Sequence, residues 1–281
     1  MISSRIEISR EAVASHYDEL DHFYRDVWGE HVHHGLWLRG SETREEAVLQ
    51  LVEFVAEQGK ISPGRRVCDI GCGYGATARL LAARGAEVTG VTVSPAQFAV
   101  AERYQAPAGG KLAFVLGDWL SNELPASCFD AAIAIESSEH MPDKGAFFAQ
   151  AHRVLHADGR LVVCAWLAAE NASKRAERWL LEPICREGRM PHLGTASEYQ
   201  SLAVSAGFDL QNFEDITHGV SRTWPAIAHR LAVKLFTSPR YLRFLFKQHA
   251  RNRVFALTTL RIWIAYRIGA MRYGVFTFVK R

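Results

Sequence analysis

Arg66-Val67-Cys68-Asp69-Ile70-Gly71-Cys72-Gly73-Tyr74-Gly75-Ala76-Thr77-Ala78-Arg79-Leu80-Leu81-Ala82-Ala83 decides the fold. The apolar run over 66–70 reads as a buried parallel strand. Residues 76–83 read as a helix. Between them, three glycines in five residues make a turn where a ligand can approach the backbone, because glycine has no Cβ to hold it off. Asp69 stands at the strand end. A carboxylate there repels phosphate and suits a ligand carrying a positively charged amino group.

On the C-terminal side, strands and helices alternate. Strand 87–92 leads to a helix from Pro95 with Ser94 as its N-cap; strands 112–116 and 130–135 follow, then helix 143–155 and strand 160–166. This alternation is the pattern of a doubly wound α/β sheet. On the N-terminal side, residues 9–27 read as a helix and 29–40 as a loop. Thr43 with Glu46 forms a capping box for a helix that ends at Gly59. Past residue 167 the pattern changes. Stretches 172–190 and 222–270 read as helical with broad apolar faces. Two strands, 208–216 and 274–280, complete a mostly parallel seven-stranded sheet, the last of them as an antiparallel strand that closes it.

The 281 residues are 48% hydrophobic and 22% charged, enough for a sizeable core. No stretch reaches the ~18 continuous apolar residues of a membrane span. Residues 1–20 are polar and carry Glu7, Glu11 and Asp18, which does not match a signal peptide. Five cysteines, at 68, 72, 128, 164 and 185, show no CxxC spacing. They imply a reduced, cytoplasmic protein without a disulfide framework or a metal site. The net charge of +3 hides an asymmetry. After Asp215 there is no acidic residue and there are 13 Lys and Arg, which leaves a net charge of −10 on residues 1–215. Three readings of the basic stretch stay open: the solvated outside of a helical cap, peripheral attachment to an anionic membrane, or a pocket for an anionic prenylated substrate. Nucleic acid is excluded as a partner, because no known motif is present and the body is acidic.

A dinucleotide site asks for GxGxxG and an acidic residue ending the second strand. Here the third glycine comes one residue early and the second strand ends in Thr92. With Asp69, this points to S-adenosyl-L-methionine (SAM), with S-adenosyl-L-homocysteine (SAH) as product. Residues 67–75 resemble the first motif of class I SAM-dependent methyltransferases. Val88-Thr89-Gly90-Val91-Thr92-Val93-Ser94-Pro95-Ala96-Gln97 resembles the second-strand motif of the subgroup containing tocopherol methyltransferases and cyclopropane fatty-acid synthases. Gly117-Asp118-Trp119 is similar to its adenine-binding turn. Glu136-Ser137-Ser138-Glu139-His140-Met141-Pro142-Asp143-Lys144 resembles the tocopherol methyltransferase signature. Tyr17-Asp18, residues 28–35 and residues 272–278 fit the same group, so the resemblance covers nearly the whole chain.

The resemblance implies the class I methyltransferase fold in three parts: an N-terminal helical cap over 1–60, a SAM-binding core over 61–167, and a helical substrate cap with the closing strands over 168–281. It implies that Asp69 meets the methionyl amino group and that Gly71, Gly73 and Gly75 let the methionyl part pass. Thr92 and Gln97 would meet the ribose, and Asp118 the adenine amino group. Trp119, Glu136 and Tyr17 complete the expected cofactor site. His140, just past the fourth strand, is the candidate base for a hydroxyl acceptor, and Glu139 is the second candidate. His31, His33 and His34 read as packing or a lid, not as metal ligands. The expected acceptor is a lipophilic small molecule, a prenylated aromatic or terpenoid, and the resemblance favours a tocopherol-like chromanol methylated on carbon. Alternatives are O- or N-methylation of a natural product, C-methylation of a prenyl diphosphate, and a non-catalytic SAM-binding protein. The oligomeric state is left open.

Overall fold

The computed structural model describes residues 1–106, 109–239, 241 and 255–281. Strands β1 (Arg66–Ile70), β2 (Glu87–Thr92), β3 (Lys111–Leu116), β4 (Phe129–Ile135), β5 (Leu155–Ala168), β6 (Phe208–Asp215) and β7 (Met271–Lys280) form a seven-stranded sheet in the order β3-β2-β1-β4-β5-β7-β6. Strands β1 to β5 pair in parallel. Strand β7 runs antiparallel to both neighbours and is inserted between β5 and β6. Val67, Cys68 and Ile70 on β1 are wholly buried, as a strand covered on both faces requires.

Helices α1 (Arg10–Val27), α2 (Arg44–Gln58), α3 (Ala76–Ala83), α4 (Pro95–Ala101), α5 (Lys144–Val154), α6 (Ala196–Ser205), α7 (Thr223–Thr237) and α8 (Phe255–Arg267) flank the sheet. The capping box at Thr43 and Glu46 is present, and Ser94 Oγ caps α4 by accepting from Gln97 N at 3.2 Å. One apolar cluster joins Leu20 of α1, Leu51 of α2, Val67 and Ile133 of the sheet, and Trp224 and Ile262 of α7 and α8.

Three expectations change. Strand β5 begins at Leu155, not 160, because Leu155 pairs with Phe129 across a register shift. Residues 172–190 are not one helix: Lys174–Ala176 leads into a π turn over Glu177–Leu181 and then Glu182–Glu187. Pro183 cannot donate to the ladder, and the backbone widens just before it. Helix α6 was not anticipated, although Thr195 and Glu198 carry the same capping box used to find α2. Within 222–270, residues 240 and 242–254 lie outside the described residues. With them goes the helical expectation for that stretch, including its apolar Leu242, Phe244, Leu245 and Phe246 and its basic residues 240, 243, 247, 251 and 253. Tyr241, counted with that surface, is buried: its hydroxyl donates to Asp26 Oδ2 at 3.2 Å and its ring meets Phe23 edge-on.

Among the described residues, much of the basic stretch is paired within the molecule. Arg230 pairs with Glu45 and Arg261 with Glu187; Arg272 pairs with Asp215 at 3.8 Å and Arg281 with Asp209 at 3.6 Å. Arg222 donates to Gly40 O, and Lys280 to Leu155 O at 2.9 Å. The basic stretch thus fastens much of itself to the acidic body. Among the described residues, no helix is long and apolar enough to cross a membrane.

Candidate active site

The C-terminal ends of β1, β2 and β4 open onto a cleft. Gly71, Gly73 and Gly75 all take positive φ, at 77°, 55° and 75°. The N–H groups of Gly71 and Cys72 both donate to Val91 O at 2.9 Å, which pins the turn to β2. A Cβ on Gly73 would meet nothing nearer than Gln97 Nε2 at 4.0 Å. A side chain there would occupy the cleft, so glycine at 73 keeps a cradle open. Gly75 has a second reason to be glycine. It does not line the cleft. A Cβ on it would lie 2.5 Å from Phe114, so glycine there lets α3 start close against β3.

Tyr17, Gly71, Gly73, Thr92, Gln97, Asp118, Trp119, Glu136 and His140 all line the cleft, so most of the expected cofactor residues are brought together. Their roles divide. The Thr92 hydroxyl donates to Gln97 Oε1 at 2.8 Å, which leaves the Gln97 amide nitrogen as the donor on the Gly73 side. Asp118 Oδ1 accepts from Leu120 N at 2.9 Å, capping the short turn that begins at Trp119. The Trp119 indole donates to Phe147 O at 3.2 Å and is part of the core. Helix α1 closes over the cleft: Ser94 Oγ donates to Asp18 Oδ1 at 2.7 Å.

Asp69 is buried and, like Gly75, is not among the residues that line the cleft, but its Oδ2 has no hydrogen-bond partner. Buried acceptors are nearly always satisfied, so this one awaits a donor. Burial alone pushes its carboxyl up to about 7. Without a ligand, this makes Asp69 a stability cost that grows as pH rises from its ordinary value through about 7. A ligand ammonium reverses that, and with the open cradle at Gly73 the residues fit SAM. SAM affinity, measured by calorimetry, is expected to rise from about pH 6 to about pH 8, where α-amino groups themselves lose their proton. Asp69→Asn should weaken binding by about 1–3 kcal/mol and flatten that rise. A wild-type affinity independent of pH would remove Asp69 from the site.

A second, smaller chamber adjoins the cleft and shares Tyr17, Val32, Glu136 and His140 with it. Its walls are mainly aromatic and apolar, with Tyr24, Trp28, Trp166, Trp224, Met190 and Ile262 among them. Among the described residues, no Lys or Arg lines it.

Glu136 stands at the junction with φ of 54°. Its carboxylate accepts four hydrogen bonds: from His34 N at 2.7 Å, His34 Nδ1 at 3.0 Å, Trp166 Nε1 at 2.8 Å and the Tyr273 hydroxyl at 2.8 Å. Trp224 Nε1 donates to His34 Nε2 at 2.8 Å. An indole N–H can only donate, so His34 carries its proton on Nδ1 and passes it towards Glu136. Burial opposes ionisation of Glu136, but its interactions with His34 outweigh it and hold the carboxyl at about 2. Both oxygens are committed to the protein, which makes Glu136 a fixed negative wall, not a free cofactor ligand.

His140 Nδ1 faces Arg189 O at 3.1 Å, and a carbonyl can only accept. The proton is therefore on Nδ1, and the lone pair of Nε2 accepts from the Tyr17 hydroxyl at 2.9 Å. Burial lowers the imidazole to about 4 and raises the Tyr17 phenol well above its ordinary value. The candidate base of the sequence is thus a neutral imidazole whose free lone pair faces Tyr17. Glu139 does not reach the cleft. It lines the chamber, accepting from Trp166 N at 2.6 Å and Ser138 Oγ at 3.2 Å, and burial raises its carboxyl. Lys144, buried beside it, donates to Met141 O at 2.8 Å.

His31 and His33 hydrogen bond each other at 3.2 Å, and His31 reaches Thr77. Among the described residues, no three His, Cys, Asp or Glu side chains are placed to hold a metal ion. Trp166, Trp224, Ile184 and Ile262 were not anticipated as site residues. They lie far apart in sequence, and nothing local marks them.

The family model for mycolic acid cyclopropane synthetase matches residues 5–237. Tocopherol O-methyltransferase, chloroplastic, of Arabidopsis thaliana is 28% identical over 98% of this chain and 83% of its own length. The 27-O-demethylrifamycin SV methyltransferase of Amycolatopsis mediterranei is 32% identical over 76% of this chain and 79% of its own. The crystal structure of mycolic acid cyclopropane synthase CmaA1 complexed with SAH and CTAB superposes with a TM-score of 0.83 at 21% identity, over 99% of this chain and all of the other.

Proposed function

We propose, for a chain that belongs to the mycolic acid cyclopropane synthetase family and is a SAM-dependent methyltransferase, that it methylates a hydroxyl on a neutral, lipophilic acceptor of the prenylated-aromatic or terpenoid type. The observation that carries this reading is the Tyr17–His140 pair at the junction of the cofactor cleft and an aromatic chamber with no lining cation. The names of the two relatives above, one acting on tocopherol and one on a rifamycin, support a lipophilic acceptor.

When bound, SAM supplies an activated methyl group on a sulfonium and leaves as SAH. Asp69, the Gly73 cradle, Gln97 and Asp118 hold it, while Tyr17 and Asp18 of α1 close the cleft against water. Trp166, Trp224, Trp28 and Tyr24 bury the apolar body of the acceptor and orient its hydroxyl towards Tyr17. The Tyr17 hydroxyl takes the acceptor's proton as it passes its own to His140 Nε2. Arg189 O holds the imidazole in the tautomer that leaves Nε2 free to accept. Glu136, charged and immobile, favours the imidazolium that results.

A diphosphate acceptor is disfavoured on the same grounds. Two phosphates would enter a chamber walled by Glu136, Glu139 and Glu187 with no lining Lys or Arg among the described residues. The test is transfer of labelled methyl from SAM to a panel: a prenylated phenol, a terpene alcohol and a prenyl diphosphate. Neutral hydroxyl acceptors are expected to be turned over at least about tenfold faster, roughly the factor one good hydrogen bond or charge contact supplies. A diphosphate as the best acceptor would overturn the reading.

A further inference from the structure

Helix α8 has two faces. Thr258 and Ile262 line the chamber. On the opposite side, Leu257, Leu260 and Trp263 recur about one helical turn apart, and Ile268 follows the helix end. The helix packs against the π turn that carries Trp179. These five apolar side chains are between 40% and 65% exposed. Large apolar side chains gathered in one exposed region mark an interaction surface.

Two arginines stack on the exposed indoles: Arg178 lies 5.1 Å from the Trp179 ring centroid and Arg267 lies 5.8 Å from that of Trp263. Lys174 and Arg175 are exposed just before the π turn. Residues 255–268 contain no acid, and 174–179 hold three cations against one, Glu177. Tryptophan and leucine at the level of cationic side chains is the composition of a face that lies in a membrane interface.

We infer that this outer face of α8 and the adjoining π turn docks on an anionic lipid bilayer. Trp179, Leu260 and Trp263 enter the headgroup–acyl boundary, and Arg178, Arg267, Lys174 and Arg175 meet lipid phosphates. Most of the other described cations beyond Asp215 are tied to the protein's own acids and carbonyls, so apolar insertion contributes as much as charge. The docked bilayer lies one helix away from the chamber where, on the reading above, a lipophilic acceptor is held.

The full chain is floated with vesicles of equal parts phosphatidylcholine and phosphatidylglycerol, with no acceptor present, so the outcome is independent of the acceptor assignment. Binding is expected at low salt, with a residual fraction at about 0.5 M salt, where a Debye length of roughly 4 Å screens the charge contacts. Leu260→Asp with Trp263→Asp should lower binding at least tenfold while leaving the melting temperature and the calorimetric SAM affinity in place. Brominated acyl chains should quench tryptophan emission in the wild type, and much less in Trp179→Phe with Trp263→Phe. No flotation at low salt would overturn the inference. So would equal capture by pure phosphatidylcholine, or binding that the double aspartate variant leaves unchanged.

Discussion

His140→Ala is expected to lower kcat by about 10²–10³-fold at saturating SAM while SAM affinity stays within about twofold, the scale of a lost general base. Two fixed hydrogen bonds carry the argument. Arg189 O demands a donor at Nδ1, and the Tyr17 hydroxyl donates to Nε2. No other neutral arrangement of the ring satisfies both. His140→Asn retains a donor near Arg189 O and deletes Nε2, so it separates proton acceptance from support of the loop. The asparagine variant should be as slow as the alanine one. Because burial holds the imidazole at about 4, wild-type kcat should stay flat at neutral pH and fall only as pH drops through about 4. Tyr17→Phe should cost less, on the order of tenfold, since a water can replace the relay. A loss under about threefold in His140→Asn would reduce His140 to a positioning residue.

Glu136→Ala is expected to cost about 3–5 kcal/mol of folding stability, because it strands four buried donors at about 1–3 kcal/mol each, offset in part by no longer burying a carboxylate. It would leave two side-chain N–H groups, one hydroxyl and one backbone N–H facing an apolar gap. For a chain of this size the melting temperature should drop by roughly 10 °C, read by scanning calorimetry. Glu136→Gln preserves the volume and tests the charge. The folded carboxyl ionises at about 2, below its unfolded value. Its contribution is therefore fully present above about pH 4.3 and lost as pH falls towards 2. The glutamine variant should show a flatter loss of stability over that acid range. A melting temperature lowered by less than a few degrees in Glu136→Ala would show that the donors find other partners.

The cofactor half of the site was legible because it is local. Asp69, Gly71 and Gly73 lie within five residues, and Thr92 and Gln97 sit together on a strand and the helix it enters. Gly75 has a packing reason that its motif does not report: its neighbour Phe114 comes from β3. The acceptor half was not legible. Trp28, Trp166 and Trp224 converge through α1, β5 and α7, so their meeting depends on tertiary packing. Glu136 was found by its motif, but its commitment to His34 and Tyr273 spans more than a hundred residues in each direction. The basic stretch was correctly seen as unusual. Its main partners, Glu45, Glu187, Asp209 and Asp215, became visible only once the chain was folded.

Strand β7 has a consequence for how the molecule is made. The ten residues Met271–Lys280 are among the last of this sequence to be synthesised, yet they sit inside the sheet. Until they emerge, β5 has an open edge and β6 has no partner, since β6 pairs only with β7. The alternating βα half can form early, as vectorial synthesis favours. The sheet itself cannot be finished until residues 271–280 are available to pair. Long-range pairing of this kind is slow, so the nascent protein passes through an interval with an unpaired edge exposed. Completion of the sheet therefore waits on residues 271–280, and their loss would remove an interior strand instead of trimming an edge.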